Sequence, residues 1–187
     1  MNGDITCHWK NILRQSLPIL VLALFISTCS GVIIGSNEEK LLMVPALALL
    51  IPAFINMGGD TASILGSRLG SALHLGTVRP FELSSDLLED IAATIILAVL
   101  SFTFLGFATY AFSVMINVPM ALAKILTLTI LAGTLSAAIM IGLAVVSAFI
   151  SYSRGLDPDN VVTPLMSTGG DIVGILSLFL TIKLLGI

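Results

Sequence analysis

The sequence has 187 residues, of which 57% are hydrophobic and 10% charged, with a mean hydropathy of +1.09 and a formal net charge of −3. This composition is typical of an integral membrane protein and excludes a soluble domain with an apolar core. Binding to nucleic acid is also excluded, because no basic stripe is available to neutralise phosphates. Two cysteines, Cys7 and Cys29, provide neither a disulfide framework nor metal-ligand spacing.

Five segments are long enough to cross a bilayer, which takes ~20 mostly apolar residues per helix. They are predicted at about 16–35, 41–74, 87–116, 119–152 and 158–186. Turn residues and most charges lie between them, and Ser84 or Ser85 is expected to cap the third helix. We therefore expect an all-α integral membrane protein: a single transmembrane domain over residues 1–187, with five spans and no cytoplasmic regulatory domain.

Lysine and arginine are retained on the cytoplasmic side of membrane proteins, so their distribution predicts the orientation. Five fall on one side and three on the other: Lys10, Arg14, Arg68, Arg79 and Arg154 against Lys40, Lys124 and Lys183. We expect a multi-pass protein of the cell membrane, with its N-terminus in the cytoplasm and its C-terminus outside.

Polar residues in the second span follow helical spacing. At 100° per residue they form one stripe about 80° wide; its members are Asn56, Asp60, Ser63, Ser67, Ser71 and His74. A charge near the middle of a bilayer costs at least ~2.5 kcal/mol, so such a stripe is expected to face something other than lipid. The fifth span carries a second stripe, made of Asp157, Asn160, Thr163, Ser167 and Asp171.

Two polar stripes with three acids are the expected lining of a wet cation path. Simpler roles compete for single residues. Asp157 before Pro158 is a good helix cap, and Asp60 could pair with Arg68 or Lys124. The G-x-x-x-G spacings at 66–70 and 170–174 let backbones approach closely and are more often packing features than functional ones.

Two motifs resemble a known family. PALALLIPAFINMGGDTASILGSRLGSALHLG at 45–76 and DPDNVVTPLMSTGGDIVGILSL at 157–178 resemble the transmembrane domain of the MgtE magnesium channels. They are still more similar to the repeat unit of the eukaryotic solute-carrier relatives, of which this chain would be a single-repeat archaeal or bacterial homologue. The run D-P-D-N-x-x-T-P is the specific part of the likeness.

The resemblance implies an MgtE-like helical bundle, homodimeric, with a pore between subunits lined by the second and fifth spans. It implies a largely hydrated Mg²⁺ as the transported ion, held by Asp157 at the pore centre, with Asn160, Thr163 and Asp171 as lining or support. Asp60 stands where many relatives have asparagine, and Asn56 is assigned to the ion with it. The remaining lining residues are expected to be Ser63, Ser67, Ser167 and Gly59.

Coordination chemistry agrees with this ion. Mg²⁺ prefers octahedral oxygen ligands and sheds water reluctantly, so carboxylates and amides that contact its hydration shell suit it. No cysteine or methionine cluster suggests a soft metal. One chain supplies one copy of each stripe, and a two-fold dimer would close a path around its axis. Because the second span runs inward and the fifth outward, we expect Asp60 in the cytoplasmic half with Asp157, and Asp171 further out.

Three other functions remain open at this stage. An exchanger that couples Mg²⁺ to Na⁺ or H⁺ would use a protonatable Asp60 or Asp171. An intramembrane aspartyl protease would use the two G-G-D stretches as a carboxylate dyad, although Met57 and Thr168 occupy the position of the first glycine in the G-x-G-D of those enzymes. A structural membrane subunit would transport nothing. In the main reading the protein is not an enzyme, needs no catalytic cofactor, and has itself, the lipid bilayer and Mg²⁺ as partners.

Overall fold

The computed structural model of the protein describes residues 8–36 and 45–186. Five α-helices follow one another in these ranges: α1 (His8–Gly35), α2 (Pro45–Leu75), α3 (Ser85–Met115), α4 (Leu122–Ser153) and α5 (Pro158–Leu185). Each contains a segment long and apolar enough to cross a membrane. The expectation of an all-α protein with five spans is confirmed. Cys7, Lys40 and the predicted start of the second span at 41–44 lie outside the described residues.

The helix ends differ from the predicted spans where hydropathy alone set the limits. α1 begins at His8 and not near residue 16, because its first turns are polar and a helix need not end at the lipid surface. α4 begins at Leu122, after Asn117 has turned the chain through a left-handed conformation with φ of 59°. Ser84 is the cap of α3, and its Oγ accepts a hydrogen bond from the Leu87 N–H at 3.2 Å.

The core consists of two groups of buried side chains stacked along the bundle. One group surrounds Phe54 of α2 and Phe102 of α3, whose ring centroids are 4.9 Å apart. The other surrounds Leu69 of α2 together with Met140 and Phe149 of α4. Both groups draw on α2, α3, α4 and α5, so these four helices share the buried centre of the bundle.

α1 lies at the edge of the bundle and packs mainly against α5. Only 11% of its spanning segment is buried, against 50% for the segment in α2. Large apolar side chains such as Leu24 and Phe25 cover the rest of α1 and are 68% exposed. This face suits contact with lipid, whereas the opposite side of α1 meets the polar stripe of α5.

Candidate ion path along α2 and α5

α2 and α5 approach each other at backbone distance and run in opposite directions. A Cβ atom on Gly59 would stand 2.9 Å from the carbonyl oxygens of Met166 and Ser167, and one on Gly170 would stand 2.6 Å from the Gly59 backbone. Real Cβ atoms essentially never come so close, so a side chain at either position would push the helices apart. Glycine at 59 and 170 is therefore what allows this pair of helices to form.

The same contact continues towards the N-terminus of α5. A Cβ atom on Gly66 would lie 2.4 Å from Cγ1 of Val162, and one on Gly70 would lie 3.0 Å from Oδ1 of Asp159. The glycines of both G-x-x-x-G spacings are thus packed between helices of one chain. They give no support to a contact between two chains.

One assignment to the path is corrected by this packing. Gly59 was expected to line the path, but it is buried against the backbone of α5 and has no free face. The position of a glycine on a helical wheel does not show why a side chain is absent there. The space can serve an ion or, as at Gly59, a neighbouring helix.

The polar stripe of α2 lies on the outside of the single chain. Asn56, Asp60 and Ser67 are exposed and Ser63 is half-buried. Neither Asn56 nor Asp60 has a side-chain hydrogen bond or ion pair within residues 8–36 and 45–186. A membrane-spanning helix therefore presents an unpaired carboxylate on its surface.

α5 adds a second set of exposed polar residues beside this stripe. Thr163 and Ser167 are exposed, and the single hydroxyl hydrogen of Ser63 is shared between the Gly59 carbonyl at 2.9 Å and the Thr163 carbonyl at 3.4 Å. This bridge joins the two helices along their polar sides. Five exposed polar residues of α2 and α5 and the half-buried Ser63 consequently form one surface, which we call the polar face: Asn56, Asp60, Ser63, Ser67, Thr163 and Ser167.

The register of the two helices corrects the expected depth of Asp60. Gly59 lies opposite Met166 and Ser167, and Gly70 lies opposite Asp159. At 1.5 Å per residue, Asp60 is therefore about 5 Å from the level of Asp171 and about 16 Å from the level of Asp157. Asp60 is therefore much nearer to the level of Asp171 than to that of Asp157, with which it was expected to lie. Asp171 is still further from Asp157 along α5 than Asp60 is, in the expected order. The sequence alone could not give the relative positions of α2 and α5 along their axes, because these depend on which residues of the two helices are in contact.

Asp157 caps α5 and also joins a small polar network. Its Oδ1 accepts the Asp159 N–H at 3.1 Å, which confirms the capping role, and its Oδ2 accepts from Nδ2 of Asn160 at 3.4 Å. Oε1 of Gln15 on α1 accepts from the backbone N–H of Asp157 and from Nδ2 of Asn160, both at 3.3 Å. Both predicted ion ligands at this end are thus held by α1.

A cleft of about 460 Å³ opens beside this network. Its lining includes Gln15, Asp157, His74 and Tyr152. Nδ1 of His74 is 2.7 Å from the Gly70 carbonyl and its ring meets Tyr152 edge-on at 5.6 Å, so His74 is held in place at the rim. The cleft gives the carboxylate of Asp157 a route to solvent.

Asp171 faces α1 and is half-buried. Its Oδ2 accepts a hydrogen bond of 2.8 Å from the hydroxyl of Ser27. Ser27 could not be predicted as this partner from the sequence, because a single serine in an apolar helix is a common packing residue. Asp171 is therefore a neighbour of the polar face, lying between α5 and α1.

Arg68 pairs with a residue that sequence reasoning missed. Its Nε and Nη2 lie 2.8 Å and 2.5 Å from Oδ1 of Asp90 on α3, and the Asp90 side chain is only 13% exposed. The alternative in which Asp60 pairs with Arg68 is therefore wrong. Asp90 neutralises the charge of Arg68, which lies beside the polar face. Arg68 is therefore not the partner of Asp60.

The described part of the chain contains no group of three or more His, Cys, Asp and Glu side chains that could hold a metal ion. A dehydrated cage of protein ligands is therefore not present among these residues in one chain. The separate carboxylates suit a hydrated Mg²⁺, which keeps several of its waters and needs only one or two carboxylates at a time.

Comparison with known proteins identifies the family of this bundle. Residues 51–181, well over half of the chain, match the MgtE family, described as a divalent cation transporter. The chain belongs to the MgtE family. The matched range contains every residue of the polar face as well as Asp157, Asn160 and Asp171.

Individual MgtE relatives are distant but extend along most of the chain. Solute carrier family 41 member 3 of Rattus norvegicus is 26% identical over 91% of the chain, and magnesium transporter MgtE of Bacillus subtilis (strain 168) is 28% identical over 94%. Solute carrier family 41 member 2 of Homo sapiens is 25% identical over 85%. The chain spans 42%, 38% and 29% of the lengths of these three proteins. No solved structure matches the chain.

MgtE membership also decides between two readings of the G-G-D stretches. The family and its named relatives are transporters and not enzymes, so the intramembrane protease is excluded. The geometry agrees, because Asp171 is bonded to Ser27 of α1 whereas Asp60 lies exposed on the polar face.

Proposed function

We propose that this chain carries Mg²⁺ across the cell membrane, along a path between two copies that is lined by the polar faces of α2 and α5. The observation that carries the proposal is Asp60, which is exposed in the middle of a spanning helix and has no partner among residues 8–36 and 45–186. Facing lipid, such a charge would cost at least ~2.5 kcal/mol. Facing a second polar face across hydrated ions, the same carboxylate is solvated.

A two-fold symmetric dimer would cover the polar residues of both α2 and α5. The two copies place identical surfaces against each other, so the polar face of one covers that of the other. The exposed side chains in the resulting gap are hydroxyl, amide and carboxylate groups, which offer oxygen atoms to an ion. The G-x-x-x-G glycines take no part in this contact, since they are already used within each chain.

In this arrangement Asp60 and Asn56 contact the hydrated ion near mid-membrane, with Ser63, Ser67, Thr163 and Ser167 completing the lining. Asp157 and Asn160 form the cytoplasmic mouth and not the pore centre that the resemblance implies for Asp157. Asp157 caps the end of α5, and the predicted orientation puts that end on the cytoplasmic side. Asp171 supports the path from the side of α1.

The test is Mg²⁺ flux into liposomes that contain the purified protein. Asp60→Asn removes the charge of the polar face while preserving the size of the side chain, and we expect a lower apparent affinity for Mg²⁺. Glu89→Gln, a change of an acid on α3 outside the polar face, is the matched control and should transport normally. A wild-type protein that moves no divalent cation would refute the proposal.

A coupled exchanger is the second candidate, favoured by the number of acids. Two copies bring six carboxylates from Asp60, Asp157 and Asp171, and one Mg²⁺ neutralises only two charges. The same liposomes separate the candidates: a channel conducts Mg²⁺ without other gradients, whereas an exchanger requires a Na⁺ or pH gradient of the correct sign.

A further inference from the structure

Gln15 is the point at which α1 contacts the N-terminal end of α5. It lies at the start of the spanning part of α1 and is half-buried. Its Oε1 accepts two hydrogen bonds, from the backbone N–H of Asp157 and from Nδ2 of Asn160, each 3.3 Å long. One side chain of α1 therefore contacts both residues proposed for the mouth of the path.

The chemistry of the donors fixes which atom of each amide points where. The backbone N–H of Asp157 can only donate, so Gln15 must turn its oxygen towards it. That oxygen then takes a second donor, which Asn160 can supply only through its nitrogen. The same nitrogen also donates to Oδ2 of Asp157, at 3.4 Å.

Nδ2 of Asn160 therefore has two acceptors, as many as it has hydrogens. Within the described residues no side chain or backbone group donates to Oδ1 of Asn160. Mg²⁺ and its waters require oxygen acceptors, and an NH₂ group turned towards the ion would repel it. An asparagine in an ion path is useful only in one of its two orientations.

We propose that Gln15 is a positioning residue that locks the amide of Asn160 with its oxygen available to the hydrated ion. This inference rests on the proposed function, since it names what orients one of the ligands. Gln15 itself does not contact the ion, because its oxygen is occupied by two protein donors.

A second contact keeps α1 in the register that this role requires. Ser27 bonds to Asp171 at 2.8 Å, twelve residues after Gln15 on α1 and eleven after Asn160 on α5. The two helices therefore run parallel, with polar contacts about 18 Å apart. Two such anchors prevent α1 from sliding along α5 and moving Gln15 away from Asn160.

The experiment compares variants of the full chain in liposomes by the Mg²⁺ concentration that gives half-maximal flux. Gln15→Met keeps the length and flexibility of the side chain but removes the acceptor. We expect the half-saturating concentration to rise about tenfold, the lower end of the effect of removing an outer-shell partner of a metal ligand. The maximal rate should stay unchanged.

Two further variants separate positioning from a structural role. Gln15→Glu restores an acceptor oxygen at the same distance and should restore the affinity. In an Asn160→Ala background, Gln15→Met should have no additional effect, because residues that act through one another are not additive. Thr28→Val on the exposed side of α1 is the control, because the Thr28 hydroxyl bonds to the Leu24 carbonyl of its own helix, at 2.8 Å, and to no other helix in the described part of the chain.

Unchanged affinity in Gln15→Met, an effect confined to the maximal rate, or full additivity with Asn160→Ala would each overturn the inference. Gln15→Asn, which is one methylene too short to reach, serves if Gln15→Met does not fold. Absence of Mg²⁺ flux in the unmodified protein would instead refute the proposed function. Stabilisation of the detergent-solubilised protein by Mg²⁺ against heat then still reports whether Gln15 affects ion binding.

Discussion

Asp157 combines two tasks that a single substitution can separate. Its Oδ1 closes the first turn of α5 by accepting the Asp159 N–H, and its Oδ2 lies on the side of Asn160. A cap needs only an oxygen acceptor, whereas an attraction for a cation needs the charge. Asparagine supplies the first and lacks the second.

We predict that Asp157→Asn keeps the thermal stability of the protein and weakens Mg²⁺ binding by about tenfold or more. A tenfold change corresponds to about 1.4 kcal/mol of binding free energy. Flux titrations and unfolding in detergent measure the two properties separately. Asp159→Asn is the matched control, because it removes an exposed charge from the same helix end beside Gly70. Equal Mg²⁺ affinity in both variants would leave Asp157 with the capping role alone.

At the scale of helices, the position of the polar face follows from the glycine contact between α2 and α5. Gly59 and Gly170 allow the backbones to touch, and this contact turns Asp60 outwards beside Ser167. A methyl group at residue 59 has no free space, since the atoms it meets belong to the backbone of α5 and cannot rotate away.

Gly59→Ala should therefore destabilise the protein by about 1–3 kcal/mol, the usual result of overpacking a tight interior. Gly142→Ala provides the contrast. Gly142 lies in the middle of α4 with nothing within 4 Å of its Cβ position, so alanine should stabilise that helix by up to about 1 kcal/mol. Thermal unfolding of the two variants in the same detergent checks the difference. Equal stability would show that α2 and α5 are not packed as described.

Local sequence signals predict the five helices and the helical spacing of the two stripes. Residue types limit the cap of α3 to Ser84 or Ser85 and offer Asp157 as a cap of α5. These features depend on local spacing, which a wheel projection preserves. The neighbours of each stripe could not be predicted, because an angle on a wheel does not say which helix lies there. Asp171 meets Ser27, Arg68 meets Asp90 and Gly59 meets α5 through contacts between residues more than 20 positions apart.

At the scale of the whole molecule, one chain leaves the polar face uncovered. We predict that the protein is a stable dimer in mild detergent, with two copies paired through this face. Mass measurement of the protein–detergent complex gives the stoichiometry. A cysteine at Asn56, in a variant in which Cys7 and Cys29 are replaced, should cross-link the two copies. A cysteine in place of Phe104, on the apolar side of α3, should not cross-link the two copies. Transport by a protein that is only monomeric would contradict the dimer.

The proposed transport requires that the polar face lines a water-filled ion path. The most direct test places single cysteines at Asn56, Asp60 and Thr163 in the cysteine-free protein in liposomes. We predict that each reacts with a small water-soluble thiol reagent and that Mg²⁺ slows the reaction. Cysteines at buried Leu65 and lipid-facing Phe104 should stay inert with or without Mg²⁺. If the three polar-face cysteines are as inert as these two controls, the face is buried packing and the ion path lies elsewhere.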